Sequence, residues 1–209
     1  MDEQVIAAMA RWPDVPDVFG WLSLNTQGHW RLHTEGDALA DLEPGDTPGQ
    51  GTSISSTRIN QFINRNYVQD SRGQWYFQNG PQRVYVRLDV APFILHTVDA
   101  AFDPPSFLTH NGQRAEHVTR WCLDDAGHLY ADTEVGAGLV AGRDLEQVLD
   151  ALISENDESL MDVFERLSSA PGSAQEVRWK DGTVASCHVC NVDQVPDLFG
   201  FVRWPRAGS

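Results

Sequence analysis

The feature that most constrains the fold of this chain is a short phrase that recurs four times. In each copy apolar residues lead into a turn that ends in glycine, and two positions later an aromatic or aliphatic residue returns. In the first three copies Asn25, Asp70 or Asp124 stands three places before the glycine, which is typical of a type I turn whose Asx side chain bonds back to the backbone. Each copy therefore predicts a β-hairpin, and the copies span residues 21–30, 67–75, 121–129 and 177–184.

Helices are predicted at four places from the spacing of apolar residues. They cover residues 2–12, a stretch from Ser55 or Ser56 to about Asn64, and two consecutive segments that begin at Asp144 and Asp157. In the second of these helices we expect Ile59, Phe62 and Ile63 to form the buried stripe. The fold class is therefore α+β, with mostly antiparallel sheets built from repeated β-hairpins and a few packed helices.

Two halves are expected, because Asp103-Pro104-Pro105 interrupts the chain. Residues 1–105 would hold the first two hairpins and helices, with a mobile loop near 34–53, where Gly, Pro, Asp and Thr dominate. Residues 106–209 would hold the other two hairpins and the two consecutive helices. The segment Val15–Trp21 also resembles Val195–Phe201, which indicates a duplication.

Composition narrows the classes of partner. A formal charge of -15 argues against nucleic acid and against anionic membranes, because both are bound through Lys and Arg. The first residues lack the basic start and apolar run of a signal peptide, and no apolar run reaches membrane-spanning length. We therefore expect a cytoplasmic protein with no nucleic-acid or membrane partner.

The pair Cys187 and Cys190 has the spacing of a metal or redox motif. The residues around it alternate as in a β-strand, where positions three apart point to opposite faces. Cys122 is the remaining cysteine, and an odd count does not make a disulfide framework. We expect structural cysteines, no metal and no cofactor. No serine stands in a nucleophile elbow, and the scattered histidines predict no catalytic triad, so no catalytic residue is assigned.

The best candidate for a binding site is a basic stretch in an otherwise acidic chain. Between residues 58 and 87 there are five arginines and one acid, Asp70. Arg83, Tyr85 and Arg87 are spaced by two along a predicted strand and so share one face, and guanidinium groups suit carboxylates and phosphates. The alternative is that these arginines pair with acids of the same chain. The predicted ligand-binding residues are Arg83, Tyr85, Arg87, Arg65 and Asn79.

Three phrases of the chain resemble a family of uncharacterised proteobacterial proteins. They read WPDVP with FGWL at 12–22, FINRNY at 62–67 and QNGPQRVYV at 78–86. More loosely, the order of hairpin, helix, hairpin, strand and Ala91-Pro92-Phe93 resembles a second family of unknown function. That family is built from repeated α/β motifs, and the resemblance implies a part in signal transduction. Neither resemblance supplies catalytic residues.

Three functions remain open from the sequence. The first is a non-catalytic, regulatory or signalling module that binds an anionic small molecule or an acidic protein partner. The second is an enzyme whose site cannot be read from the sequence. The third is a structural protein that forms a homodimer through sheet edges or aromatic faces.

Overall fold

The computed structural model describes residues 1–41, 47–98, 106–154, 158–170, 173–179 and 182–208. Helices and strands mix along the chain, which confirms the α+β prediction. The described helices are α1 (Glu3–Arg11), α2 (Thr57–Arg65), α3 (Leu145–Ala151), α4 (Leu160–Ser168) and α5 (Val195–Phe199). None of them combines the length and the apolar character that crossing a bilayer requires.

The chain divides into two compact units. The first comprises Met1–Pro92 and Gly200–Ser209, and the second comprises Phe93–Phe199. The predicted break at residues 103–105 lies outside the described residues, as do residues 42–46 of the predicted loop. Residues 34–41 and 47–51 form neither helix nor strand, although Ala38 is buried and its N–H donates to Gly20 O at 2.9 Å.

A six-stranded sheet forms the first unit. Its order is β3-β2-β1-β6-β5-β4, in which β1 and β6 are parallel and the other neighbours are antiparallel. The strands are β1 (Val18–Leu24), β2 (Trp30–Leu32), β3 (Thr52–Ser53), β4 (Tyr67–Gln69), β5 (Trp75–Asn79) and β6 (Gln82–Leu88).

The second unit repeats this order and extends it. Its sheet runs β13-β14-β15-β10-β11-β12-β7-β8-β9, so that β7 to β12 are arranged as β1 to β6 are, and a further meander is added beside β10. The pairs β7–β12 and β10–β15 are parallel. The strands are β7 (Phe93–Thr97), β8 (Phe107–Thr109), β9 (Arg114–Ala115), β10 (Val118–Asp124), β11 (Leu129–Thr133), β12 (Gly136–Val140), β13 (Leu152–Ser154), β14 (Ala174–Trp179) and β15 (Val184–Cys190).

All four predicted hairpins are present, as β1–β2, β4–β5, β10–β11 and β14–β15. In the β4–β5 turn Asp70 Oδ1 accepts hydrogen bonds from the N–H groups of Arg72 and Gln74, both at 2.9 Å. Asn25 and Asp124 accept from the equivalent N–H groups at 2.8 to 3.0 Å. Gly73 has φ 81°, a value that a side chain resists. The Asx side chain and the glycine thus specify the turn as predicted.

The C-terminal segment belongs to the first unit. Its backbone is bound at several points, including Val202 N–H to Gly73 O and Leu88 N–H to Arg203 O, both at 2.9 Å. The guanidinium of Arg203 donates to Asp89 O, and Arg206 N–H donates to Gln74 Oε1 at 3.0 Å. Residues that follow the whole second unit in the sequence therefore pack onto the first unit.

Several local expectations were wrong. The two helices expected to be consecutive are separated by β13, and the predicted start at Asp157 lies outside the described residues. The helix α4 begins instead directly after its N-cap residue Ser159, whose Oγ accepts a hydrogen bond from Asp162 N–H. The related segments 15–21 and 195–201 also differ, since the first enters β1 and the second forms α5. Similar sequences adopt different conformations here, because intrinsic propensities are weak.

Candidate functional site

Arg83, Tyr85 and Arg87 lie two positions apart on one strand, β6, as predicted. Tyr85 and Arg87, however, are buried. Tyr85 has no exposed surface. Its ring stacks on Phe19 at 4.5 Å, and its hydroxyl donates to Asp70 Oδ2 at 3.2 Å. Tyr85 is therefore a core residue that fastens the β4–β5 turn, and it offers no group to a ligand at the surface.

Arg87 is also fully engaged. The side chain is 2% exposed and pairs with Asp89 Oδ1 at 3.0 Å. Its Nη1 donates to Ala38 O and its Nη2 to Gly49 O, both at 2.9 Å. Arg87 therefore pairs with an acid of its own chain, which is the alternative that the sequence left open.

The other predicted residues lie in separate surroundings. The guanidinium of Arg83 stands 5.1 Å from the Tyr76 ring centre and has no carboxylate at ion-pair distance among the described residues. Arg65, at the end of α2, pairs with Asp2 at 3.0 Å, and this partner raises its pKa. Asn79 ends β5 and is exposed.

A cavity of about 710 Å³ lies in the first unit, and we call it the apolar cavity. Several of its walls are apolar side chains that solvent reaches. Trp21 is 44% exposed, Leu32 40% and Ile59 51%. The described lining residues are Val18, Trp21, Leu22, Leu32, Thr52, Ser53, Ile54, Ser55, Ser56, Ile59, Ile63, Phe77, Asn79, Gln82 and Val84.

The helix α2 supplies one wall of the apolar cavity. Ser56 caps the helix by accepting the Ile59 N–H at 3.5 Å. Ile59 and Ile63 then follow one helical turn apart and share a face. The prediction that Ile59 is buried was wrong, because only Ile63 reaches the core while Ile59 borders the cavity. Among the predicted site residues, Asn79 is the one that lines this cavity.

The first unit also aligns a serine, a histidine and an aspartate, the residue types of a catalytic triad. The sequence analysis predicted no triad. Ser23 Oγ lies 2.9 Å from His33 Nε2, and His33 Nδ1 lies 3.3 Å from Asp37 Oδ1. A nucleophile must reach a substrate, yet Ser23 has no exposed surface. Burial, and secondly Arg87, lower the pKa of His33. Ser23 and Asp37 therefore serve as hydrogen-bond partners for the two ring nitrogens of a buried, neutral histidine.

A second cavity, of about 860 Å³, lies in the second unit, and we call it the acidic cavity. Asp124, Asp125 and Asp197 contribute to its walls, and the described lining contains no Arg or Lys. Asp124 is held by hydrogen bonds from Tyr130 Oη at 3.1 Å and from the His128 ring at 3.0 Å. The remaining described lining residues are Leu123, Leu167, Ser168, Ser173, His188, Val189, Cys190, Asn191, Gln194 and Leu198.

Cys190, in the wall of the acidic cavity, contacts Cys122. The sequence did not predict this contact. As predicted, Cys187 and Cys190 lie three apart on a strand, β15. Cys190 Sγ lies 2.8 Å from Cys122 Sγ, across the parallel pair β10–β15. Burial raises the pKa of all three thiols, that of Cys187 to about 12. No group of three metal-ligating side chains occurs among the described residues.

One solved structure supports the fold. The chain is similar to a DUF1285 family protein from Silicibacter pomeroyi DSS-3, with 16% identity, a TM-score of 0.54, and coverage of 93% of this chain and 98% of that one. A DUF1285 family protein from Shewanella baltica OS155 matches with 15% identity and a TM-score of 0.44 over 69% of this chain and 97% of that one. No curated protein matches.

One family model covers nearly the whole sequence. It is DUF2944, described as "Protein of unknown function (DUF2946)", and it matches residues 1–206. The expectation of an uncharacterised family is confirmed at this level. The chain belongs to the DUF2944 family, whose function is unknown.

Proposed function

We propose that this chain is a non-catalytic binding module that takes a neutral, mainly apolar small molecule in the apolar cavity. The observation that carries the proposal is the cavity itself. Its volume of about 710 Å³ falls within the range of roughly 300–1,000 Å³ typical of small-molecule sites. It exposes large apolar side chains that a ligand would cover.

The lining determines the chemistry of the ligand. The described walls include no charged side chain, so a charged ligand would lose its hydration with no compensating ion pair. Asn79 and Gln82 supply amide groups, and Ser53, Ser55 and Ser56 supply hydroxyl groups. An apolar body that carries one or two hydrogen-bonding groups fits this lining.

An anionic ligand is the second candidate, and Arg83 supports it. This guanidinium is half-buried and has no carboxylate partner among the described residues, whereas Arg87 is already paired with Asp89. Recognition of an anion would therefore depend on Arg83, with Asn79 beyond the β5–β6 turn. It would not use the predicted pair of arginines.

A regulatory role in the cytoplasm belongs to the proposal. The looser resemblance to a family with a suggested part in signal transduction supports it. A module without a reaction of its own acts through the stability or shape that it gains when its ligand is bound.

The test uses Nile red, a neutral apolar dye whose fluorescence rises in apolar sites. We expect Ile59→Gln to weaken dye binding about tenfold, because a buried aliphatic contact contributes about 1.5 kcal/mol. Met161→Gln is the matched control, since Met161 is 61% exposed on α4 and lies outside the described lining. Equal dye affinity in the Ile59 variant and the wild type, or equal losses in both variants, would contradict the proposal.

A further inference from the structure

The contact between Cys122 and Cys190 follows from the register of two parallel strands. Cys122 pairs with His188, and Asp124 pairs with Cys190, so that Cys190 lies two positions beyond the partner of Cys122. Residues two apart on a strand share a face, and the two sulfur atoms approach to 2.8 Å on that face. A disulfide has an S–S length of about 2.05 Å. The sulfur–sulfur distance exceeds that bond length by about 0.75 Å.

We propose that Cys122 and Cys190 are a redox-active dithiol, which small neutral or cationic oxidants convert to a disulfide through the acidic cavity. The two thiols have unequal access. Cys190 is half-buried and lines the cavity, whereas Cys122 is fully buried behind it. Cys190 therefore meets the oxidant first, and Cys122 is the thiol that resolves the product.

With hydrogen peroxide the reaction balances in two steps. The Cys190 thiolate attacks one peroxide oxygen, the O–O bond breaks, and hydroxide leaves and is protonated to water, which gives a sulfenic acid. The Cys122 sulfur then attacks the Cys190 sulfur, the S–O bond breaks, and a second water leaves. Two thiols are oxidised to one disulfide, and one peroxide is reduced to two waters.

The charge of the cavity selects the oxidant. Asp124, Asp125 and Asp197 line the cavity, and these three acids outnumber Arg120, the nearby cation that donates to the carbonyl oxygen of the lining residue Leu198. Peroxide is neutral and enters without a charge penalty, whereas oxidised glutathione carries net negative charge and is repelled. Thiolate is the reacting form. Burial raises the pKa of Cys190, the hydrogen bond with Cys122 lowers it, and the charges of Asp124 and Asp125 raise it further, so the rate should increase as the pH rises.

The third cysteine provides an internal control. Cys187 pairs with Trp121 in the register, has no exposed surface, and lies an odd number of positions from Cys190. It therefore faces away from the dithiol. Oxidation of the wild type, which has three cysteines, should leave one free thiol, and that thiol should be Cys187.

The experiment treats the reduced full-length protein with hydrogen peroxide, with cystamine as a cationic disulfide and with oxidised glutathione. We expect loss of two thiols, a linked Cys122–Cys190 peptide in the digest, and reversal by dithiothreitol. Peroxide and cystamine should act at least about tenfold faster than oxidised glutathione, and the ratio to oxidised glutathione should shrink at high salt because screening weakens the repulsion. The melting temperature of the oxidised form should rise by about 5 °C or more.

Two variants complete the test. Cys187→Ala should still lose both of its thiols, whereas Cys190→Ser should form no intramolecular disulfide. Three free thiols after peroxide, oxidation of Cys190 to a sulfinic acid without linkage, or a Cys187–Cys190 link would each overturn the proposal. The wild-type peptide map is decisive even if a variant folds poorly.

Discussion

The hairpins β4–β5 and β10–β11 occupy equivalent places in the two units and differ in what surrounds them. Both turns use an aspartate with the same backbone hydrogen bonds. In the first unit the second carboxylate oxygen is bound by Tyr85 of β6, and in the second by Tyr130 of β11. The turn specifies the backbone, and the side chains around it are free to change.

The edges beside these hairpins differ more. The strand β4 ends the order of its sheet, whereas β10 pairs in addition with β15. Val68 stands two residues before the first turn, and Cys122 stands at the same place before the second. The added meander brings Cys190 to Cys122. A repeated scaffold thus acquired a different site where a further strand joined it.

The largest expected effect would come from removing the turn carboxylates. Asp124→Ala should lower the free energy of unfolding by about 3 kcal/mol or more, because it removes the hydrogen bonds that the buried carboxylate accepts from Tyr130 Oη and from two backbone N–H groups. Asp70→Ala should cost about 2 kcal/mol, since that side chain is 10% exposed and Asp124 is 0% exposed. Urea unfolding measures both, and a larger loss for Asp70→Ala would reverse the comparison.

The turn glycines allow a closer comparison. Gly73 and Gly127 both have φ 81°, but a Cβ on Gly73 would stand 2.7 Å from Gly200 O, whereas one on Gly127 would meet no atom within 4 Å. Gly127→Ala should therefore cost about 1 kcal/mol for the conformation alone, and Gly73→Ala about 2 kcal/mol. Equal melting temperatures for the two variants would show that the close approach has no energetic weight.

The smallest effect is a pH dependence that belongs to the first unit. His33 and His110 follow equivalent strands, and their N–H groups donate to Trp21 O and Ile94 O. The place of Ser23 is taken by His96 in the second unit, so this position of the second unit lacks the serine that contacts His33 in the first.

Burial, and secondly Arg87, lower the pKa of His33 below its usual value of 6.5, so the unfolded chain binds more protons. The contribution of His33 is complete above pH 6.5 and is lost as the pH falls through 6.5 toward the lowered value. The midpoint of urea unfolding should therefore fall less steeply with acid in His33→Asn than in the wild type. Parallel profiles for the two proteins would contradict a buried neutral His33.

The sequence predicts what neighbouring residues determine. The turns at Asn25, Asp70 and Asp124 follow from an Asx residue and a glycine within four positions. The strand at Cys187–Cys190 follows from alternation. These signals are local, so one sequence suffices to find them.

The sites depend on contacts that no local pattern encodes. Cys122 and Cys190 meet across 68 positions. Arg87 donates to the carbonyl groups of Ala38 and Gly49, neither of which lies in a helix or strand. Ile59 satisfies the helical period of a buried residue but borders a cavity. Which apolar residue remains exposed is decided by the strands that pack opposite it.

The C-terminal segment has a consequence for how the protein is made. The first unit binds residues 202–206 through Gly73, Gln74 and Leu88, so it is incomplete until these residues, which follow the second unit in the sequence, have been translated. The second unit is one continuous stretch of sequence, Phe93–Phe199, so all its strands have been translated before residues 202–206 of the first unit. The unit whose translation starts earlier thus receives its last contacts only after the second unit has been translated. A stop codon after the second unit would remove contacts from the first.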